Sequence, residues 1–259
     1  MKHKRIYLLS CFWMMVGSVL AQGHTILQQK KMESPECKEW VESRLEKMTL
    51  KEKIGQLFIH TVGLMNTDVN RKNIRDAVKE YKVGGLLFSN GKLVNQVTLT
   101  NYAQEMAEIP LMITFDGEWG LNMRLKEIPA FPRNRVLGSI EDNALLYEYG
   151  KEVARQFREI GVHVNFAPVA DVDNNPLNPV INTRSFGGNP DNVAQKVIAY
   201  SRGLEEGGVL SVSKHFPGHG DTNVDSHKAL PVLNFSRERL DSIEMYPFRK
   251  AIEAGVGGV

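Results

Sequence analysis

GVLSVSKHFPGHGDTNVDSH, residues 208–227, changes character at its middle. Val209 to Ser213 is a short apolar run of the kind that forms a buried strand. At Lys214 it gives way to a polar loop that carries Lys214, His215, His219, Asp221, Asp225 and His227, punctuated by Pro217, Gly218 and Gly220. A strand with its chemistry gathered just past its C-terminal end is the unit from which parallel α/β sheets build their sites.

The same unit recurs along the chain. Trp40, Val41, Leu45 and Met48 share one helix face, and Thr49-Leu50-Lys51-Glu52 has the capping-box form that starts a helix. Apolar runs then predict strands at Ile54 to His60, Val83 to Phe88, Leu111 to Phe115, His163 to Ala170 and Val209 to Ser213. Between them, helical spacing predicts helices at Asn70 to Tyr81, Lys92 to Met106, Asp191 to Leu204 and, capped by Ser236, Arg237 to Ala254. Another helix opens at Ser139 to Asp142, repeats Leu145, Tyr149, Val153 and Phe157 toward a core, and stops at Gly161. Gly255 to Val259 looks like the opening of one more strand.

Alternating strands and helices imply a parallel sheet, either a closed barrel or a doubly wound layer. No Gly-x-Gly-x-x-Gly turn follows the first strand, and the units keep repeating. Polar residues gather at the ends of several different strands: Asp116 after the third, Asp171 after the next, Lys214 and His215 after another. That distribution predicts an α/β fold of the (β/α)8 TIM-barrel type, incomplete, with about six of the expected eight strand units present.

The chain has 259 residues, 42% hydrophobic and 24% charged, enough to bury the core of one domain. A net charge of +2, from 32 basic and 30 acidic residues, points away from nucleic acid and toward small, neutral or weakly charged substrates. Lys2 to Arg5 followed by the apolar stretch Ile6 to Leu20 reads as a signal peptide, residues 1–21, cut before Gln22. The stretch is short for a membrane span, so the chain is expected to be exported, periplasmic or extracellular. Leu8-Leu9-Ser10-Cys11 also has the form of a bacterial lipobox, a secondary reading. A cut after Ala21 leaves Cys37 as the only cysteine, so no internal disulfide is expected. Residues 22–35 form a polar leader, and one domain runs from 36 to 259.

Three places could carry chemistry. In Thr114 to Gly120, TFDGEWG, an apolar strand gives way to acids; Asp116 could accept hydrogen bonds from adjacent sugar hydroxyls, or could be a solvated turn residue. Arg184, in NTRSFGG, follows a long polar loop and could hold hydroxyl or carbonyl oxygens, or form a structural ion pair with Asp171 or Asp173. In the 214–227 loop, Asp225 stands two positions before His227, close enough to fix its tautomer and raise its basicity. The same loop could instead bind zinc, against which stand the interrupting Pro217 and glycines, or be a plain solvated turn. Cys37 reads as a spectator, and the Lys51 to Lys53 run as a solvated helix start.

Together, Thr49 to Gln56 (TLKEKIGQ), Phe115 to Gly120 (FDGEWG), Asn165 to Asp173 (NFAPVADVD), Asn175 to Gly187 (NPLNPVINTRSFG) and Lys214 to His227 (KHFPGHGDTNVDSH) resemble glycoside hydrolase family 3 in its β-N-acetylhexosaminidase branch. The five segments occur in the family's order and run through nearly all of the chain after the leader. The resemblance implies a barrel exo-glycosidase that retains anomeric configuration through a covalent glycosyl-enzyme intermediate and acts on terminal N-acetylglucosaminides. It implies that Asp116, Arg124, Arg184, Lys214 and His215 hold the terminal sugar, and that His227 with Asp225 is the acid/base. No metal and no cofactor are implied. The family's nucleophile is an aspartate on a later strand, expected beyond Val259, so the fragment itself is expected to be inactive. A serine-hydrolase domain can follow in exported bacterial relatives.

A typical retaining glycosidase pairs two carboxyl groups. A neutral base in place of one of them would repel an anionic acceptor less, which leaves phosphorolysis open beside hydrolysis. Trp119 stands where the branch usually has glycine and Leu121 where it often has arginine. The other readings are a β-glucosidase of the same family, a sugar-binding barrel without catalysis, and a metal-dependent hydrolase.

Overall fold

The structure is a computed structural model that describes residues 34–259. The expected signal peptide, Cys11 of the lipobox-like stretch and nearly all of the expected polar leader lie outside the described residues. Helix α1 (Pro35–Lys47) buries Val41 against the flanking Trp40 and Leu45. The capping box at Thr49 then forms as expected: Glu52 N donates to Thr49 Oγ1 at 3.3 Å, and Thr49 N donates to Glu52 Oε2 at 2.8 Å.

That cap starts α2 (Leu50–Gly55), which corrects the strand expected at Ile54 to His60. With two of the four free N–H groups satisfied at its start, the helix carries on through Ile54 and Gly55. Strand β1 begins only at Ile59 and runs to Leu64. Next come α3 (Asp68–Arg75), continued by a wider turn to Glu80, β2 (Gly85–Gly91), α4 (Leu93–Met106) and β3 (Met112–Phe115). After a short α5 (Asn134–Leu137) come α6 (Asn143–Glu159), β4 (Val164–Asn165), α7 (Pro190–Glu206) and β5 (Leu210–Ser211).

All four strand pairings are parallel, and the spatial order β1-β2-β3-β4-β5 is the chain order. A doubly wound sheet reverses its order at a switch point. This sheet has no such reversal among the described residues, and its strands succeed one another as the wall of a barrel does. The strand expected at Gly255 to Val259 does not join the five-stranded sheet among the described residues, although Ser213 N, just past β5, donates to Gly258 O at 2.9 Å.

Alternation along the strands sorts the side chains into two faces. Ile113 and Phe115 enter the main core beneath the helices, while Met112, Val164 and Leu210 form a smaller cluster on the other face. Helix α6 turns Val153 and Phe157 into the main core and packs Tyr149 against it, as expected, but Leu146 takes the buried place expected of Leu145, which is 57% exposed. Glycines let α6 and α7 touch backbone to backbone. A Cβ on Gly150 would stand 2.5 Å from Tyr200 O, and one on Gly203 would stand 2.2 Å from Tyr147 O.

The last expected helix is two: α8 (Arg237–Ser242), capped by the Ser236 hydroxyl, and α9 (Tyr246–Glu253), with Pro247 in its first turn. Proline lacks the N–H that a continuous helix would need there. The long strand expected from His163 to Ala170 keeps Val164 and Asn165 in the ladder and, beyond the break before Pro168, pairs again at Val169, which bridges Lys214 in parallel. Among the described residues no helix is long and apolar enough to cross a membrane.

Candidate functional site

Loops leaving the C-terminal ends of β2 to β5 meet in one polar cluster. Asp116 follows β3 directly. Its Oδ1 accepts from Lys214 Nζ at 2.5 Å, and its Oδ2 accepts from Arg124 Nη2. Arg124, just past a 3-10 turn (Leu121–Met123), also donates to Asp116 O at 3.1 Å and to Asn90 Oδ1, on β2, at 3.2 Å. Lys214 reaches a second acid, Glu118 Oε1, at 3.0 Å. Glu118 is fully buried and takes Arg184 in a two-armed pair, Nη2 to Oε1 at 2.6 Å and Nε to Oε2 at 3.0 Å. Arg184 Nη2 then meets His215 Nε2 at 3.2 Å, and His215 Nδ1 meets Asp171 Oδ2 at 2.6 Å.

All five residues expected to hold a sugar, Asp116, Arg124, Arg184, Lys214 and His215, therefore belong to one connected network. Two members are new, Glu118 and Asp171, and both are fully buried. Arg184 does form an ion pair, but with Glu118. Of the two acids expected to pair with it, Asp171 binds His215 and Asp173 pairs with Arg135. The sequence signal for Glu118 and Asp171 is only their place at strand ends. Burial, which separates them from solvated acids, is a property of the folded chain.

Charges alternate through the network: Asp116, Glu118 and Asp171 against Arg124, Lys214 and Arg184. Burial alone would raise the Asp116 pKa, yet the Lys214 and Arg124 charges and hydrogen bonds outweigh it and hold the group below the ordinary carboxylate value. Glu118 is likewise lowered, burial being overcome by Arg184 and Lys214. Arg184 is raised: burial works against the cation, and Glu118 more than compensates.

Unused valence is what a ligand would meet. An ammonium has three N–H groups, and Lys214 commits two of them, to Asp116 and Glu118. Arg184 Nη1 has a single long contact, to Val180 O at 3.4 Å. Asp116 is 23% exposed at its side chain and His215 33%, so the network opens to solvent at this end. Donors and acceptors set side by side suit a polyol, each hydroxyl of which both gives and takes a hydrogen bond.

The 214–227 loop is moulded in its first half. The peptide bonds before His215 and Pro217 are cis. Asn178 Nδ2 donates to His219 O at 2.7 Å, Asn175 Nδ2 to Asn223 Oδ1 at 2.6 Å, and Arg239 Nη2 to Asp221 Oδ2 at 3.0 Å. Gly220 packs so closely on Val172 that a Cβ there would stand 1.8 Å from Val172 O. Farther along, Asp225 and His227 find each other: His227 Nδ1 lies 2.8 Å from Asp225 Oδ1, which also accepts from His227 N at 2.9 Å. The His227 backbone N–H, then its ring, hold the Asp225 pKa below its ordinary value. His227 is 84% exposed at its side chain, and its hydrogen bonds join it to Asp225, not to the Asp116 network.

Trp119 is buried beneath the Arg133 guanidinium, which lies 4.2 Å from the ring centroid. Its indole packs into the fold as a cation–π partner and does not stand open as a stacking platform. Among the described residues no group of three or more His, Cys, Asp or Glu side chains converges as metal ligands would.

Residues 49–259 match the glycosyl hydrolase family 3 N-terminal domain. The chain is 34% identical over 199 residues to β-hexosaminidase A of Pseudoalteromonas piscicida, covering 72% of this chain and 33% of that relative. It is similar to a solved family 3 β-N-acetylglucosaminidase from Paenibacillus sp. str. FPU-7, with a TM-score of 0.74, 39% identity, and coverage of 81% of this chain and 41% of that one. A solved β-glucoside phosphorylase, BglX, bound to 2FGlc, gives a TM-score of 0.79 at 26% identity over 86% of this chain and 40% of that one. This chain thus spans from about a third to two fifths of the length of these relatives. Parallel strands in chain order, a polar cluster on their C-terminal rim and the match over residues 49–259 make this chain a member of glycosyl hydrolase family 3, within its N-terminal domain.

Proposed function

We propose that the protein is an exported, retaining exo-glycosidase that releases terminal β-N-acetylhexosamine, N-acetylglucosamine above all, through a covalent glycosyl-enzyme intermediate. Asp116, Arg124, Arg184, Lys214 and His215 hold the terminal sugar, with Asp116 accepting from ring hydroxyls and the unused N–H groups of Lys214 and Arg184 donating to them. His227 gives a proton to the leaving oxygen and later takes one from the incoming acceptor. Asp225 orients the ring through Nδ1 and leaves Nε2 for the reaction. A carboxylate nucleophile forms the covalent bond of the intermediate as the leaving oxygen departs with the proton from His227.

The observation that carries this reading is the Asp225–His227 pair at 2.8 Å, on the same loop as Lys214 and His215. A glycosidase that used two carboxyl groups would have no need of it. Exposure of His227 fits a group that must reach a proton at the mouth of the site, and the reaction requires the 223–235 segment to bring it to the glycosidic oxygen. The similarity to a hexosaminidase and to a β-N-acetylglucosaminidase supports the acetamido sugar.

A second reading, transfer to phosphate from a β-glucoside, is favoured by the similarity to BglX and by the neutral base. One experiment separates them. The intact protein is given 4-nitrophenyl β-N-acetylglucosaminide and β-glucoside, with and without phosphate, and the sugar product is identified. Free N-acetylglucosamine in both buffers supports the first reading; a sugar phosphate formed from the glucoside supports the second.

A further inference from the structure

Asp171 touches none of the open surface of the site, yet it decides how one of its members presents itself. It is fully buried at the end of the β4 segment. Its carboxylate takes His219 N at 2.7 Å, His215 N at 3.3 Å and His215 Nδ1 at 2.6 Å. Its own carbonyl accepts from Ser185 Oγ at 2.6 Å, beside Arg184. On its far side the His215 ring meets Arg184 Nη2 through Nε2, at 3.2 Å.

A guanidinium only donates, so Nε2 must accept and carry no proton. The one proton of a neutral imidazole then sits on Nδ1 and is donated to Asp171. Both contacts are satisfied by this tautomer and by neither alternative: the Nε2–H form sets donor against donor at Arg184, and the imidazolium adds a charge beside a guanidinium. Arg184 is thereby gripped on two sides, by Glu118 along its Nε and Nη2 edge and by His215 at Nη2, and its Nη1 group is left directed elsewhere.

Building on the sugar-binding reading of this network, we infer that Asp171 is a positioning residue that locks His215 in the Nδ1–H tautomer and, through His215 Nε2, fixes the orientation in which Arg184 meets the sugar. In Asp171→Asn the amide oxygen can keep the backbone N–H bonds, which turns the amide NH2 toward His215 Nδ1. The imidazole proton then moves to Nε2 and the contact with Arg184 is lost.

The test is a long-range proton–nitrogen correlation spectrum of the intact protein labelled with nitrogen-15 histidine, at about pH 8 where an ordinary imidazole is neutral. His215 is assigned by its loss in His215→Gln. In the wild type Nδ1 is expected to be protonated and Nε2 bare. In Asp171→Asn the pattern reverses, while Tm stays within about 3 °C and KM for the aryl N-acetylglucosaminide rises about ten-fold or more with a smaller change in kcat. Should Asp171→Asn fail to fold, Asp171→Glu replaces it and is expected to keep the wild-type tautomer. A wild-type Nε2–H tautomer, or one unmoved in Asp171→Asn, overturns the inference. The spectrum is read without substrate, so an inactive protein with the expected tautomer would sink the glycosidase reading alone.

Discussion

Arg184 and Glu118 stand 66 positions apart in the chain and close on each other as a two-armed ion pair, at 2.6 and 3.0 Å, with the carboxylate fully buried. One comes from the loop after β3 and the other from the long loop after β4, so the pair ties two strand ends together beneath the open part of the site. Lys214, from the loop after β5, adds a third connection at 3.0 Å.

Glu118→Gln is expected to cost about 3 kcal/mol or more of folding stability, because two cations lose the charge that compensates their burial. The Glu118 pKa is held below its ordinary value, so its stabilisation is complete above the unfolded pKa and fades as pH falls through the folded one. Urea unfolding of wild type and variant should show a gap at neutral pH that narrows in acid. Equal stabilities at neutral pH would refute the pair's role.

Gly220→Ala sets a methyl group 1.8 Å from Val172 O. Backbone has to move, at a cost of about 1 to 3 kcal/mol, and the 214–227 loop lifts from the segment after β4. Turnover should fall with the lost stability. A variant crystal structure with Asp225 and His227 unmoved would contradict this.

His163, at the start of β4, is pushed down to about 4 by burial, and its Nδ1 accepts from Ile113 N at 3.0 Å. Its folded pKa lies below the unfolded value, so the unfolded chain takes up the proton first as pH drops. Stability is unaffected above about pH 6.5 and declines between there and about pH 4, by about 3 kcal/mol in all. His163→Asn, which can still accept from Ile113, should flatten that decline in a series of unfolding curves.

Glu205 works in the opposite direction. Burial raises it to about 7, and its Oε1 takes Ser211 Oγ and Gly257 N, each at 2.6 Å. A raised folded pKa gives a contribution that is whole below the unfolded value and is lost as pH rises through the folded one, about 3 kcal/mol between about pH 4.5 and 7. Glu205→Gln should therefore compare far better with wild type at pH 8 than at pH 4. A difference that does not change with pH would disprove the assignment.

The strand and helix units are legible in the sequence because each keeps one period, and the rim is legible because polar residues interrupt apolar runs at Asp116, Asp171 and Lys214. Ile54 is the exception: its apolar run suits a strand, while the capping box of Thr49 and Glu52 carries the helix past it. The split of the last helix is written in Pro247. Asp116, Arg184, Lys214 and His215 carry a signal in local motifs, and Arg124 enters only through the family resemblance. Glu118 and Asp171 lie in FDGEWG and NFAPVADVD, yet their burial is not legible there, since a carboxylate beside a strand end reads the same in solvent as in the interior. Only the pairing of Arg184 with Glu118, and of His215 with Asp171, tells the two apart.

On the proposed reading His227, oriented by Asp225, moves the proton. Steady-state turnover of 4-nitrophenyl β-N-acetylglucosaminide by the intact protein and its His227→Ala variant, with and without azide, tests it most directly. His227 is exposed, so the variant should fold as the wild type does. Its kcat/KM should fall about 100-fold or more, and azide should restore turnover with a glycosyl azide as product. Unchanged turnover in His227→Ala would rule out His227 as the acid/base.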